Sequence, residues 1–163
     1  MFKVGARSVQ SLGSLYWVSE DNALYFNAKM NNNATAYLLV NDVSIVLNEC
    51  NRAIYIEGYF PKINVAEKKL QIPSCEGREL YFTSDRFSAV KQPGMSFRLT
   101  EPNEWIVSCD LESGWFHIGL EHTKGDVPVE FNVNQIAVVD SKGKLLSLFF
   151  KPLIVESFAE IDL

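Results

Sequence analysis

The sequence predicts a single mainly β domain spanning residues 1–163, an antiparallel meander folded into a β-sandwich or a partly closed barrel. Three observations point there. Short apolar runs alternate with turn-forming residues about every ten positions, as in an all-β meander. The chain holds 11 Phe and 6 Tyr, and aromatic and β-branched residues suit half-buried strands better than helices. Its 163 residues are 47% hydrophobic and 21% charged, enough for one large core and too apolar for disorder.

The expected elements follow in order. Leu15–Val18 and Ala23–Ala28 flank the polar turn Ser19-Glu20-Asp21-Asn22. Ala36–Val40 and Val43–Leu47 flank Asn41-Asp42, residues that tolerate positive φ. Ala53–Glu57 is a strand that Gly58 bends or bulges. Lys69–Ile72 and Glu79–Thr83 are short strands around a Pro73–Gly77 turn. Met95–Leu99 alternates, with Met95, Phe97 and Leu99 on one face. Glu101-Pro102-Asn103 then turns the chain into Trp105–Cys109, followed by Trp115–Glu121 and Val129–Val133. Ile136–Val139 and Leu145–Phe150 form a hairpin with Gly143 in its turn. Helix signals are thin: Arg86–Val90 suggests a turn, and Leu153–Ile161 reads either as a short terminal helix or as an edge strand. Asn31-Asn32-Asn33 reads as a loop.

Composition narrows the function classes. A net charge of −5 argues against nucleic acid as a partner, and no stretch approaches the apolar length of a spanning helix, so no membrane partner is expected. Cys50, Cys75 and Cys109 are too few and too scattered for a disulfide framework or a zinc site, which suggests reduced thiols in a cytoplasm, such as a bacterial one. No secretory signal, P-loop or dinucleotide fingerprint is present. No cofactor is expected.

The charge is unevenly placed. Residues 101–130 hold Glu101, Glu104, Asp110, Glu112, Glu121, Asp126 and Glu130 against Lys124 alone, while the rest of the chain is nearly neutral. The hairpin at the centre of this stretch has a derivable register. A Leu111–Gly114 loop pairs Asp110 with Trp115, Ser108 with His117, Ile106 with Gly119 and Glu104 with Glu121. The opposite face then collects Cys109, Phe116, Val107, Ile118, Trp105 and Leu120, so burial favours this register over a one-residue slip. The outward face would carry Glu104, Ile106, Ser108, Asp110, Trp115, His117 and Glu121.

Each chemical candidate on that face has a counter-argument. Ser108, His117 and Asp110 match a nucleophile–base–acid set in type, but a flat antiparallel surface offers no pocket or oxyanion donors. Cys109 falls on the face away from His117 and reads as structural. His117 and His122 do not share a strand face, and Asp110-x-Glu112-x-Gly114 lacks the downstream acid of a calcium loop, so no metal is expected. Trp105 reads as core and Trp17 as ambiguous. Trp115 either anchors an interface or folds back over the sheet edge.

The expectation is a non-catalytic protein-binding domain, in its most concrete form an acidic bacterial immunity or inhibitor protein that neutralises a basic partner such as a toxin. Its partner-binding residues would be Glu104, Ser108, Asp110, Glu112, Trp115, His117 and Glu121. The alternatives are a β-barrel or sandwich holding a lipid, sugar or metabolite, and a viral or other structural subunit that self-assembles.

Overall fold

A computed structural model describes residues 1–8, 11–29, 33–60, 65–84, 93–102 and 104–161. In chain order its strands are β1 (Phe2–Arg7), β2 (Gly13–Val18), β3 (Ala23–Ala28), β4 (Ala34–Val40), β5 (Val43–Asn48), β6 (Ala53–Tyr59), β7 (Val65–Glu67) and β8 (Arg78–Phe82). They continue with β9 (Met95–Arg98), β10 (Val107–Asp110), β11 (Trp115–Gly119), β12 (Val127–Asn132), β13 (Gln135–Val139), β14 (Leu145–Phe150) and β15 (Leu153–Val155). One sheet runs β15-β2-β3-β6-β5-β4-β9 and a second runs β12-β13-β14-β11-β10-β7. β1 and β8 make a separate two-stranded sheet. The architecture is a β-sandwich; it does not close into a barrel.

Alternation puts one face of each large sheet into a common core. Leu38, Ile45 and Ile56 from the seven-stranded sheet meet Ile118, Leu148 and Phe150 from the six-stranded sheet, all fully buried. Phe60 lies between the sheets, its ring edge-on to Phe116 at 5.2 Å and to Phe150 at 5.4 Å. The small sheet contributes Phe2, Leu80 and Phe82 to the same core. It also links the two large sheets at the side, through Arg52–Tyr81 and Gly77–Glu130 bridges.

Two buried amides pin the sandwich together. β6 bulges at Ile54, because Val46 pairs with Tyr55 while Leu47 pairs with Ala53. A bulge leaves backbone groups outside the ladder. Asn132 Nδ2 donates to the Ile54 carbonyl at 2.8 Å, and Ile56 N donates to Gln135 Oε1 at 2.7 Å. Both amides come from the β12–β13 hairpin of the opposite sheet.

The hairpins β2–β3, β4–β5 and β13–β14 stand where the sequence places them. Two expectations change. The sheets are mixed: β7, β9 and β15 pair in parallel with β10, β4 and β2. Lys69–Ile72 is not a strand, and Pro73–Gly77 is not a hairpin turn. This stretch instead crosses the outer face of the six-stranded sheet as a strap. Lys68 N donates to the Cys109 carbonyl at one edge, and the Glu76 carbonyl accepts from Glu130 N at the other. Between them Ile72 and Cys75 pack on Ile136, Val138 and Phe149. Leu153–Ile161 is an edge strand, β15, followed by a single 3-10 turn over Phe158–Glu160, whose Glu160 carboxylate accepts from Glu156 N and Ser157 N. The Arg86–Val90 turn and most of the Asn31–Asn33 loop lie outside the described residues, as does Asn103. Among the described residues no helix is long and apolar enough to cross a membrane.

Candidate functional site

The β10–β11 hairpin has the register its burial pattern predicts: Val107 with Ile118, Ser108 with His117, Cys109 with Phe116 and Asp110 with Trp115. Gly119 N donates to the Ile106 carbonyl at 3.0 Å, which extends the pairing by one step. Cys109, Phe116 and Ile118 enter the core, and Trp105 and Val107 pack against it.

The other face departs from expectation. Ser108, Asp110 and His117 are not on the surface; they are 1%, 8% and 4% exposed. The physical reason is the strap, together with β7 on one side of the hairpin and β14 on the other. Asp110 holds the strap directly. Its Oδ2 accepts from Leu70 N at 3.2 Å, while Oδ1 accepts from Glu112 N and Ser113 N in its own turn. The amides of Leu70 and Ser113 hold this carboxyl below the usual Asp range. The Asp110 carboxylate therefore serves as a structural anchor between the strap and the hairpin turn. Trp115 is half-buried and folds onto Ile136, Val138 and Phe149. Trp17 is buried and donates from Nε1 to the Phe60 carbonyl at 3.1 Å.

Glu104, Glu112 and Glu121 remain exposed. Glu104 and Glu121 lie outside the two strands, and each carboxylate has a different neighbour. Glu104 Oε2 accepts from Glu101 N at 2.7 Å, and Glu121 Oε1 lies 3.6 Å from Lys68 Nζ. The apolar face also ends sooner than expected, with Leu120 exposed instead of paired over the core beside Trp105. Gly119 causes this. Its φ of +129° ends β11, and the following residues leave the strand's alternation.

That break brings together two residues expected on different faces. His117 and His122 both contact the Phe149 ring, with centroids 4.5 and 6.1 Å away. With Glu121, Lys68, Lys69 and Gln71 they line an open cleft of about 400 Å³ under the strap. Among the described residues neither ring nitrogen of His117 has a hydrogen bond of good geometry, although the Leu120 backbone acts on the ring. Burial pushes its imidazole down to about 4, and the Lys68 ammonium acts in the same direction. The Leu120 backbone and Glu121 oppose this, and His122 adds to it. Among the described residues no three His, Cys, Asp or Glu side chains gather as a metal site.

A pH dependence follows. His117 is neutral when folded but takes a proton near pH 6.5 when unfolded. Its contribution is complete above about pH 6.5 and is lost as pH falls toward about 4. Between pH 7.5 and 5.0 the expected loss is on the order of 2 kcal/mol. Urea unfolding at the two pH values checks this, with His117→Phe as the control that removes the dependence. An equal pH response in both proteins would refute the assignment to His117.

Fold and cleft together define a β-sandwich with a strapped outer face. No protein-family model matches the chain, and no curated protein matches it in sequence.

Proposed function

We propose that this domain is a non-catalytic protein-binding module of the inhibitor or immunity type, which captures a basic partner at the open end of the β10–β11 hairpin. One observation carries the reading. Ile106 and Leu120 are 70% and 51% exposed, and the Gly119–Ile106 hydrogen bond holds their segments side by side. Exposed Glu101, Glu104 and Glu121 stand in the same two segments. Exposed large apolar groups rimmed by charge mark association surfaces, and clustered acids speed the capture of a basic protein. The surface differs from the outward face read in the sequence. Ile106 and Leu120 replace buried Ser108, Asp110 and His117 as its centre. The three cysteines carry no disulfide, which suits a reducing cytoplasm.

The test compares proteins retained from native extract by the wild type, by Ile106→Ser/Leu120→Ser and by Glu104→Lys/Glu121→Lys. The expected result is a basic protein held only by the wild type. Calorimetry with that protein should show affinity at least about ten-fold weaker for either variant, and a shallower salt dependence for the charge reversal. Equal retention by all three proteins, or an affinity indifferent to salt, would overturn the reading.

A further inference from the structure

The outer face beneath the strap holds an unmet demand for hydrogen bonds. Ser108 Oγ, both ring nitrogens of His117 and Ser147 Oγ are buried and lack a hydrogen bond of good geometry among the described residues. They are neighbours. Ser108 lies opposite His117, and Ser147 lies opposite Gly119, two residues farther along β11. Buried polar groups are nearly always paired, and each unpaired one opposes folding. Of these three residues, His117 lines the neighbouring cleft, so its ring is the group that a molecule bound there can reach.

The cleft beside them says what kind of partner. It is open to solvent and has a volume of about 400 Å³. It falls within the size range of small-molecule sites. Its polar lining has two cationic residues, Lys68 and Lys69, with Gln71 and His122 able to donate as well as accept. The single acid, Glu121, is almost fully exposed and turned to Lys68. The apolar part of the lining includes Phe149, which is 3% exposed and touches both histidine rings.

We propose that this cleft binds a small organic anion, a carboxylate or phosphate group on a compact planar body. The charged group meets Lys68 and Lys69, and the planar body lies against the cleft wall that His122 and Phe149 form. The His117 nitrogens are shut off from solvent. Lys68 and Lys69 are exposed, so they can move aside at little cost and bring the anion toward the imidazole. The charged and titratable groups around His117 are Lys68 and Lys69 from the strap, and Glu121 and His122 beyond β11. Asp110, farther along β10, is already occupied by the strap's Leu70 amide. An anion placed here favours the imidazolium, so binding tightens as pH falls. The site does not rest on the protein-binding reading, whose apolar centre at Ile106 and Leu120 lies outside the cleft lining.

The test is an NMR titration of the wild-type chain with inorganic phosphate, benzoate and phenyl phosphate at pH 6.5, with neutral benzyl alcohol as control. The expected result is saturable shifts of the His117, His122 and Phe149 ring protons with benzoate or phenyl phosphate. The tighter of these two identifies the anionic group. Affinity should exceed that of inorganic phosphate by at least about ten-fold, and benzyl alcohol should not compete. Lys68→Ala/Lys69→Ala should weaken binding at least ten-fold while leaving the rest of the spectrum unchanged. His117→Phe, which keeps an aromatic ring beside Phe149, should fold, unfold at a higher temperature and bind more weakly. Absence of saturable shifts at millimolar ligand, unchanged binding by the lysine variant, or equal binding of benzyl alcohol would overturn the proposal. Inorganic phosphate binding as tightly as phenyl phosphate would overturn the role of Phe149.

Discussion

Asn132→Ala is expected to lower the unfolding free energy by about 3 kcal/mol, although Asn132 is remote from the cleft and from the hairpin surface. The side chain is 2% exposed and serves both of its ends. Nδ2 donates to the Ile54 carbonyl at 2.8 Å; Oδ1 accepts from Val133 N at 2.8 Å and, more weakly, from Leu12 N at 3.4 Å. Alanine removes the donor at a bulge, where the strand ladder cannot replace it, and leaves a small void. Each buried group orphaned in this way costs about 1–3 kcal/mol. Asn132→Asp is the informative control. It keeps the shape and the acceptor but turns the Ile54 side of the group into a second acceptor with a charge, so it should destabilise at least as much at neutral pH. Urea denaturation of the three proteins gives the comparison. A change below about 0.5 kcal/mol for Asn132→Ala would show that the sheets do not depend on this link.

Gly119→Ala is expected to cost about 4 kcal/mol. Two effects add. A φ of +129° is a conformation that residues with a Cβ rarely adopt. The added carbon would also fall against the Leu146 carbonyl oxygen and 2.7 Å from Ser147 Cα, on the neighbouring strand β14. The second effect can be isolated, because Gly125 has a φ of +110° and nothing within 4 Å of the place a Cβ would occupy. Gly125→Ala should therefore cost only the backbone part, about 1–2 kcal/mol. Thermal unfolding should show Gly119→Ala melting roughly 10 °C below wild type, with Gly125→Ala much closer to it. Equal shifts would mean that the approach of β11 to β14 is not close enough to matter.

The same glycine shows where sequence reasoning succeeds and where it stops. The pairing from Asp110–Trp115 to Val107–Ile118 was legible because alternation and a single turn leave one register that sorts the large apolar groups. Beyond Ile118 the extrapolation failed. Alternation carried through Gly119 buried Leu120 and parted His117 from His122; both outcomes reverse once φ turns positive. A glycine inside an apolar strand pattern is itself a signal of a bulge or close approach, so this correction was available in principle. The burial of Ser108, Asp110 and His117 was not. The covering residues Lys68–Glu76 precede the hairpin by about forty positions, and their own pattern resembles a strand and a turn. Only tertiary structure shows that Asp110 recruits the Leu70 amide. Parallel pairing of β7, β9 and β15 was equally hidden, since no local signal names a partner so distant in the chain.

The parallel pairing of β15 with β2 bears on how the chain can fold. Leu153–Val155 covers the backbone edge of Tyr16–Val18, so residues synthesised early wait for residues synthesised more than a hundred positions later. Contacts so far apart in sequence slow folding. During that wait β2 presents a bare strand edge bearing Tyr16, Trp17 and Val18, a template for pairing with other chains. A three-residue strand that adds little to the core thus has a protective duty, closing the edge on which a nascent copy of this protein would otherwise meet its neighbour.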